Sequence, residues 1–219
     1  MKTFYPDLIV EVTAACNRSC VGCYAPNVVT NQFAAELYVE RPELFLSIFN
    51  INSAFGKMSR WPYLTAIRGG EPSLHPKLAT LLLISARHSK QVMLETHARW
   101  LLPENVNEYG ELVEAIRSLG VIIKISFDKM HGLSKEDLHK ITQFLDLNQI
   151  DYRIAISETL ITEFLITRNL CSWITDSKIL YQLKAKNNSE LVTPTLGVIN
   201  IAGEFCESIT SKFSEVALV

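Results

Sequence analysis

Val121-Ile122-Ile123-Lys124-Ile125-Ser126-Phe127 constrains the fold more than any other stretch of this chain. A nearly continuous β-branched run is how a strand buried on both faces reads, and such strands belong to parallel sheets covered by helices. The surrounding segments agree. Residues 8–13, 63–68, 92–96 and 152–157 also read as strands, and helical spacing fills the intervals. It predicts a helix over 42–55, carried by Leu44, Phe45, Ile48, Phe49 and Ile51 and stopped by Gly56. A second is expected over 76–88 and a third over 104–118, the latter ended by Gly120. Ser134 with Asp137 resembles a capping box opening a fourth, with Leu138, Ile141 and Leu145 on one face. Residues 25–35 read as irregular. Past 158 the pattern weakens to a helix around 159–170, an apolar segment near 178–184, and a strand and turn over 195–206 that suits a hairpin.

Strands alternating with helices imply parallel pairing with right-handed crossovers. Periodicity fits an open doubly wound sheet and a whole or partial barrel alike. At 219 residues with 48% apolar content, the chain has material for one substantial core and is read as a single domain, 1–219. Its clearest part runs from about 8 to 157, and 158–219 complete the sheet and a C-terminal hairpin. A formal charge of −2, from 21 scattered basic and 23 acidic residues, creates no field favouring nucleic acid or a membrane surface. No apolar run approaches the ~20 residues of a membrane span. Thr13-Ala14-Ala15-Cys16 loosely resembles a lipoprotein cleavage site. Asp7 and Glu11 interrupt the apolar stretch it needs and Lys2 is the lone preceding cation, so a cytoplasmic location is expected.

Three of the five cysteines crowd into Cys16-x3-Cys20-x2-Cys23, directly after the first strand. Clustered thiols in such a chain point to metal or redox use and away from disulfides. Three thiolates turned toward one point suit zinc, with Cys171, Cys206 or a histidine as fourth ligand, or an iron–sulfur cluster with one iron left open. The spacing leaves both open. Two more groups follow later strands. Gly69-Gly70-Glu71-Pro72 ends the second, where glycines let the backbone come close to a ligand or take positive φ and the glutamate is held at the edge where α/β proteins bind ligands. Ser126-Phe127-Asp128 ends the fourth. Taken alone, Gly69 to Pro72 reads first as an ordinary strand-to-helix turn, and Ser126 and Asp128 equally well as a cap or turn.

Together they resemble the radical S-adenosylmethionine superfamily, over roughly residues 8–157. The runs VEVTAACNRSCVGCY and RGGEPSLHPKL are most similar to members that modify peptides or make cofactors. The resemblance implies an α/β fold, a partial (β/α)6 barrel of parallel strands with outer helices. It implies a [4Fe–4S] cluster on Cys16, Cys20 and Cys23, whose open iron binds S-adenosyl-L-methionine (AdoMet). Reductive cleavage of AdoMet then gives a 5′-deoxyadenosyl radical that abstracts hydrogen from a substrate, a ribosomal peptide or small metabolite. An electron donor such as flavodoxin or ferredoxin is implied too. Gly69, Gly70 and Glu71 would hold the methionine amino group, and Ser126 and Asp128 the methionine carboxylate or ribose, with Thr96 a further candidate. Many members carry an aromatic just before the third cysteine, near adenine; here that position is Gly22, and Tyr24 is the nearby aromatic. A glycyl-radical-enzyme activase of the same superfamily is the nearest alternative. A non-catalytic zinc-binding module would explain the thiols but nothing about Gly69 to Pro72.

His75, His97 and His131 lack metal-ligand spacing and are expected to make surface or hydrogen-bonding contacts. Cys171 and Cys206 are too few for a second cluster and are read first as small buried hydrophobes. Cys206, near a glycine-containing turn, is also the candidate to return a hydrogen atom to a substrate radical, as in the superfamily's peptide epimerases.

Overall fold

The structure is a computed structural model that describes residues 6–20, 23, 28–30, 34–128, 131–158, 169, 171–183 and 197–207, with backbone alone at 157, 158, 176, 181–183, 206 and 207. Strand β1 (Leu8–Thr13) enters the core and leads into a two-residue strand β2 (Ala15–Cys16), which pairs in parallel with β3 (Val28–Val29). Helix α1 (Ala34–Glu40) follows, starting at the end of the stretch 25–35 expected to be irregular and running on through residues for which no element was expected.

The helix expected over 42–55 is divided. A 3-10 turn (Pro42–Leu44) stops before Phe45, and α2 (Ile48–Gly56) starts afresh with Ser47 capping the Asn50 amide. The break has a long-range cause. Phe45 bridges Thr13, and the Leu46 amide donates to the Val12 carbonyl at 2.8 Å. Local spacing favoured helix, but β1 needed an extended partner at that point.

Three strand–helix units and a further strand then run in order: β4 (Leu64–Gly69), α3 (Leu78–His88), β5 (Gln91–Thr96), α4 (Gly110–Leu119), β6 (Ile122–Ser126), α5 (Lys135–Leu147) and β7 (Tyr152–Glu158). Gly120 ends α4 at φ 63°, a left-handed cap that glycine adopts without strain. The Ser134 hydroxyl caps α5 by accepting from the Asp137 amide at 3.0 Å. The apolar segment near 178–184 is a strand, β8 (Ile179–Leu183), and the C-terminal hairpin is β9 (Gly197–Ile199) with β10 (Phe205–Glu207). The helix expected around 159–170 lies outside the described residues, save position 169.

The main sheet runs β10-β9-β1-β4-β5-β6-β7-β8, parallel throughout except for the β9–β10 pair. Six strands, β1 and β4 to β8, therefore lie side by side in chain order, as a (β/α)6 arrangement requires, and β9 adds a seventh beside β1. Helices α2 to α5 all pack one face, against Val10, Ile67, Leu94, Ile123, Ile125 and Ile154. The opposite face holds a small cluster made of strand residues alone: Ile9, Leu64, Ala66, Met93 and Ile122, with Val198 against it. This is an α/β sheet with its helices outside, the expected fold class. No described helix is long and apolar enough to cross a membrane.

Candidate functional site

The carboxyl ends of β1, β4, β5 and β6 converge on one edge, and the cysteine loop sits there between two backbone clamps. On one side, residues 44–46 hold it: the Thr13 hydroxyl and the Ala14 amide both donate to the Leu44 carbonyl at 2.9 Å. On the other, Gly70 donates to the Thr13 carbonyl at 2.7 Å and Glu71 to that of Ala15 at 2.9 Å. The glycines are required by this second clamp. A Cβ on Gly69 would lie 2.3 Å from the Thr13 oxygen, and one on Gly70 would lie 2.1 Å from the Ala15 oxygen. Neither glycine has positive φ. The close approach expected toward a ligand is here made to the cysteine loop's own backbone.

Cys16 is buried on β2, Cys20 is half-buried, and Cys23 is exposed, its amide donating to the Cys20 carbonyl at 3.2 Å. Burial pushes the Cys16 thiol up to about 11, partly offset by a hydrogen bond from the Arg18 backbone. Among the described residues no three His, Cys, Asp or Glu side chains are gathered as a metal site. Residues 21–22 and 24–27, including Tyr24, lie outside the description. The donor set itself fits an iron–sulfur cluster: the loop offers three sulfurs and no competing imidazole.

Glu71, 1% exposed, is the hub of the edge. Its Oε1 accepts from the Ser73 amide at 3.1 Å and the Thr96 hydroxyl at 2.7 Å, and its Oε2 accepts from the His97 amide at 3.1 Å. Thr96 in turn accepts from the Ala98 amide and from Trp100 Nε1, so its hydroxyl is fully engaged inside the protein. His97 is buried, and desolvation lowers its pKa despite the nearby Glu71 charge. Its Nδ1 accepts from the Arg99 amide, which leaves the proton of the neutral ring on Nε2, 2.9 Å from Asn17 Oδ1 in the cysteine loop. His75 makes a parallel contact. Its Nδ1 accepts from the Lys77 amide and its Nε2 donates to the Leu46 carbonyl at 2.9 Å. Both histidines hold loops through hydrogen bonds, and burial pushes His75 down to about 4.

Ser126 is the last residue of β6 and half-buried. Asp128, just beyond it, is 5% exposed and accepts from the His131 amide and ring Nδ1 at 3.0 and 2.8 Å. A cleft of about 170 Å³ opens beside Glu71, lined by polar groups that include Asn17, Ser73, His97, Arg99 and Tyr109. Cys206 lies on β10, paired with Val198, at the sheet edge two strands from β1; Cys171 is fully buried.

One feature went unnoticed in the sequence. Glu11, Arg68, Glu95 and Lys124 occupy neighbouring positions on four adjacent strands, on the sheet face away from the helices and just below this edge. Arg68 Nη2 donates to Glu11 Oε1 at 3.1 Å, and Lys124 Nζ to Glu95 Oε1 at 2.9 Å. Burial would raise Glu95, but Lys124 and then Arg68 outweigh it and hold the carboxyl below its ordinary range. The signal was present: each strand carries one charge near its carboxyl end.

No family model matches this chain, and no curated protein matches it. Solved structures do. The histidine-tagged form of anSMEcpe with bound AdoMet aligns at TM-score 0.54 and 12% identity over 83% of this chain and 54% of that one. Native anSMEcpe with bound AdoMet and Cp18Cys peptide gives 0.51 at 13% identity with the same coverage, and the complex with Kp18Cys peptide gives 0.53 at 12% over 80% and 50%. The chain spans about half the length of the structures it matches. These neighbours are radical S-adenosylmethionine enzymes, and this chain has their fold.

Proposed function

We propose that this chain is a radical S-adenosylmethionine enzyme whose site is the edge just described. The observation that carries the reading is the backbone clamp of Gly69 to Glu71 on the cysteine loop. It brings a three-thiol loop and a buried carboxylate together in a fold that holds AdoMet in its neighbours. Cys16, Cys20 and Cys23 would hold a [4Fe–4S] cluster. Bound there with AdoMet, it would supply the electron that breaks the sulfonium C–S bond, giving methionine and a 5′-deoxyadenosyl radical.

The chain's own residues do the rest. Gly69 to Glu71 receive the methionine ammonium, for which a carboxylate-rich, desolvated edge is suited. The Ser126 hydroxyl donates to the methionine carboxylate and Asp128 accepts from the ribose, with Thr96 acting through Glu71. Tyr24 is the candidate adenine contact and Cys206 the candidate hydrogen donor. A peptide substrate is supported by the peptide-bound neighbours. An electron donor of the flavodoxin or ferredoxin type and a reducing, cytoplasmic setting follow from the need for free thiols and a low-potential electron.

Anaerobic reconstitution with iron and sulfide tests this. The expected result is a brown protein that, with a reductant, cleaves AdoMet to methionine and 5′-deoxyadenosine. Replacing all three cysteines with alanine should abolish both colour and cleavage. Iron retained by the triple variant, or a colourless wild-type protein that takes zinc alone, would overturn the proposal.

A further inference from the structure

Three strand ends meet at one imidazole. The chain leaves β5 through Ala98, which is fully buried and left-handed at φ 62°, and this turn points His97 back across the edge. Its amide is fixed on Glu71 at the end of β4, its Nδ1 on the Arg99 amide, and its Nε2 on Asn17 between Cys16 and Cys20. The two ring contacts fix its tautomer and plane; Nε2 also lies 3.3 Å from Glu71 Oε2, beyond the 2.9 Å to Asn17, and the ring and carboxylate are 5% and 1% exposed. Asn17 is exposed and lies next to Cys16. The His97 ring is therefore the side-chain tether that runs from the rigid ends of β4 and β5 to the loop segment bearing the first two thiols.

We propose that His97 is a positioning residue: through Asn17 it holds the cysteine loop in register with Glu71. Its purpose rests on the reading of the loop as a metal site, but its consequence exists in the metal-free chain. With the tether in place, the Cys16 thiol stays buried while Cys23 stays exposed. Without it, the loop opens more often and Cys16 reacts sooner. The ring nitrogens are engaged by Asn17, the Arg99 amide and Glu71, so its effect is on where the thiols sit and not on what they ligate.

The test is competitive alkylation of the chelator-treated, metal-free chain by iodoacetamide, with each cysteine followed by mass spectrometry and Cys23 as internal reference. His97→Ala should raise the Cys16 rate relative to Cys23 about tenfold, the equivalent of one net hydrogen bond of about 1.4 kcal/mol. Asn17→Ala, a change at an exposed position, should do the same, and the double variant no more than either. His97→Gln, which keeps a donor toward Asn17, should restore slow labelling. Should His97→Ala fail to fold, Asn17→Ala reads the same contact. Unchanged Cys16 labelling in Asn17→Ala, or effects that multiply in the double variant, would overturn the proposal. A wild-type chain that takes up no cluster would overturn the proposed function and leave this inference standing. A chain that takes up cluster but labels identically in all variants would do the reverse.

Discussion

The two faces of the sheet are built from the same strands and on different terms. Toward the helices, Val10, Ile67, Leu94, Ile123 and Ile154 meet the apolar stripes of α2 to α5 in one large core. Toward the other side, a layer of Ile9, Leu64, Ala66, Met93 and Ile122 gives way near the carboxyl edge to Glu11, Arg68, Glu95 and Lys124. Area burial accounts for the first face. It does not account for the second, because a partly buried ion pair roughly breaks even against apolar residues of similar volume. A charged row just beneath the cysteine loop and Glu71 lines the site with polarity at little net gain in stability. Apolar burial is concentrated on the face that touches helices, and buried charge on the face that does not.

The sharpest way to break this comparison uses adjacent residues on β5. Leu94 and Met93 are both fully buried, one on each face. Leu94→Ala should cost about 3–4 kcal/mol in urea unfolding, since helices on one side and strands on the other restrict collapse of the cavity. Met93→Ala should cost about 2 kcal/mol, because the small strand-only cluster has fewer partners to lose and a flexible side chain to replace. Equal losses would mean that the two faces pack alike.

A smaller effect is expected from the charged row. Lys124→Met leaves Glu95 facing Arg68 alone and should destabilise by about 2 kcal/mol, below the 3–5 of a fully buried broken pair because the Lys124 and Glu95 side chains are 10% and 20% exposed. Adding Glu95→Met should bring the protein back to within about 1 kcal/mol of wild type. The pair also has a pH signature. The Glu95 carboxyl is held below its ordinary 4.5, so its contribution is present above that pH and is lost as pH falls through the folded value. Lys124→Met should flatten that acid loss. A double variant no more stable than the single one would show that the row holds the sheet together after all.

What the sequence made legible was local. The Val121 to Phe127 strand, the Gly120 cap and the Ser134 cap are each decided by a few neighbouring residues, and each stands where expected. What it hid depends on partners distant in the chain. Phe45 and Leu46 have helical spacing, and only β1 makes them extended. Glu11, Arg68 and Glu95 pass for the polar half of ordinary alternation, and Lys124 for an interruption, until parallel register sets them side by side. Gly69 and Gly70 announced a close approach, read as one to a ligand, whose partner is the backbone of Thr13 and Ala15. His97 had no motif to mark it; its contacts come from a left-handed turn at an alanine, which periodicity does not foresee.

That turn supplies the smallest predicted effect. Ala98 sits at φ 62°, ψ 9°, where an L-residue's Cβ crowds the following carbonyl at a cost of roughly 1–2 kcal/mol. Glycine would remove that cost. It would also enlarge the unfolded ensemble by about 0.4–1 kcal/mol and give up a buried methyl worth about 0.8 kcal/mol. These terms nearly cancel, so Ala98→Gly should unfold within about 1 kcal/mol of wild type. The geometry of the turn is held from outside it, by the Ala98 amide on the Thr96 hydroxyl and the Leu101 amide on the Ala98 carbonyl. The variant should therefore keep His97 on Asn17 and leave Cys16 labelling slow. A loss above 2 kcal/mol would mean that the Ala98 methyl itself is packing the joint between β5 and the cysteine loop. In that case the edge would depend on apolar burial as the helix-covered face does, and the contrast between the two would narrow at that point.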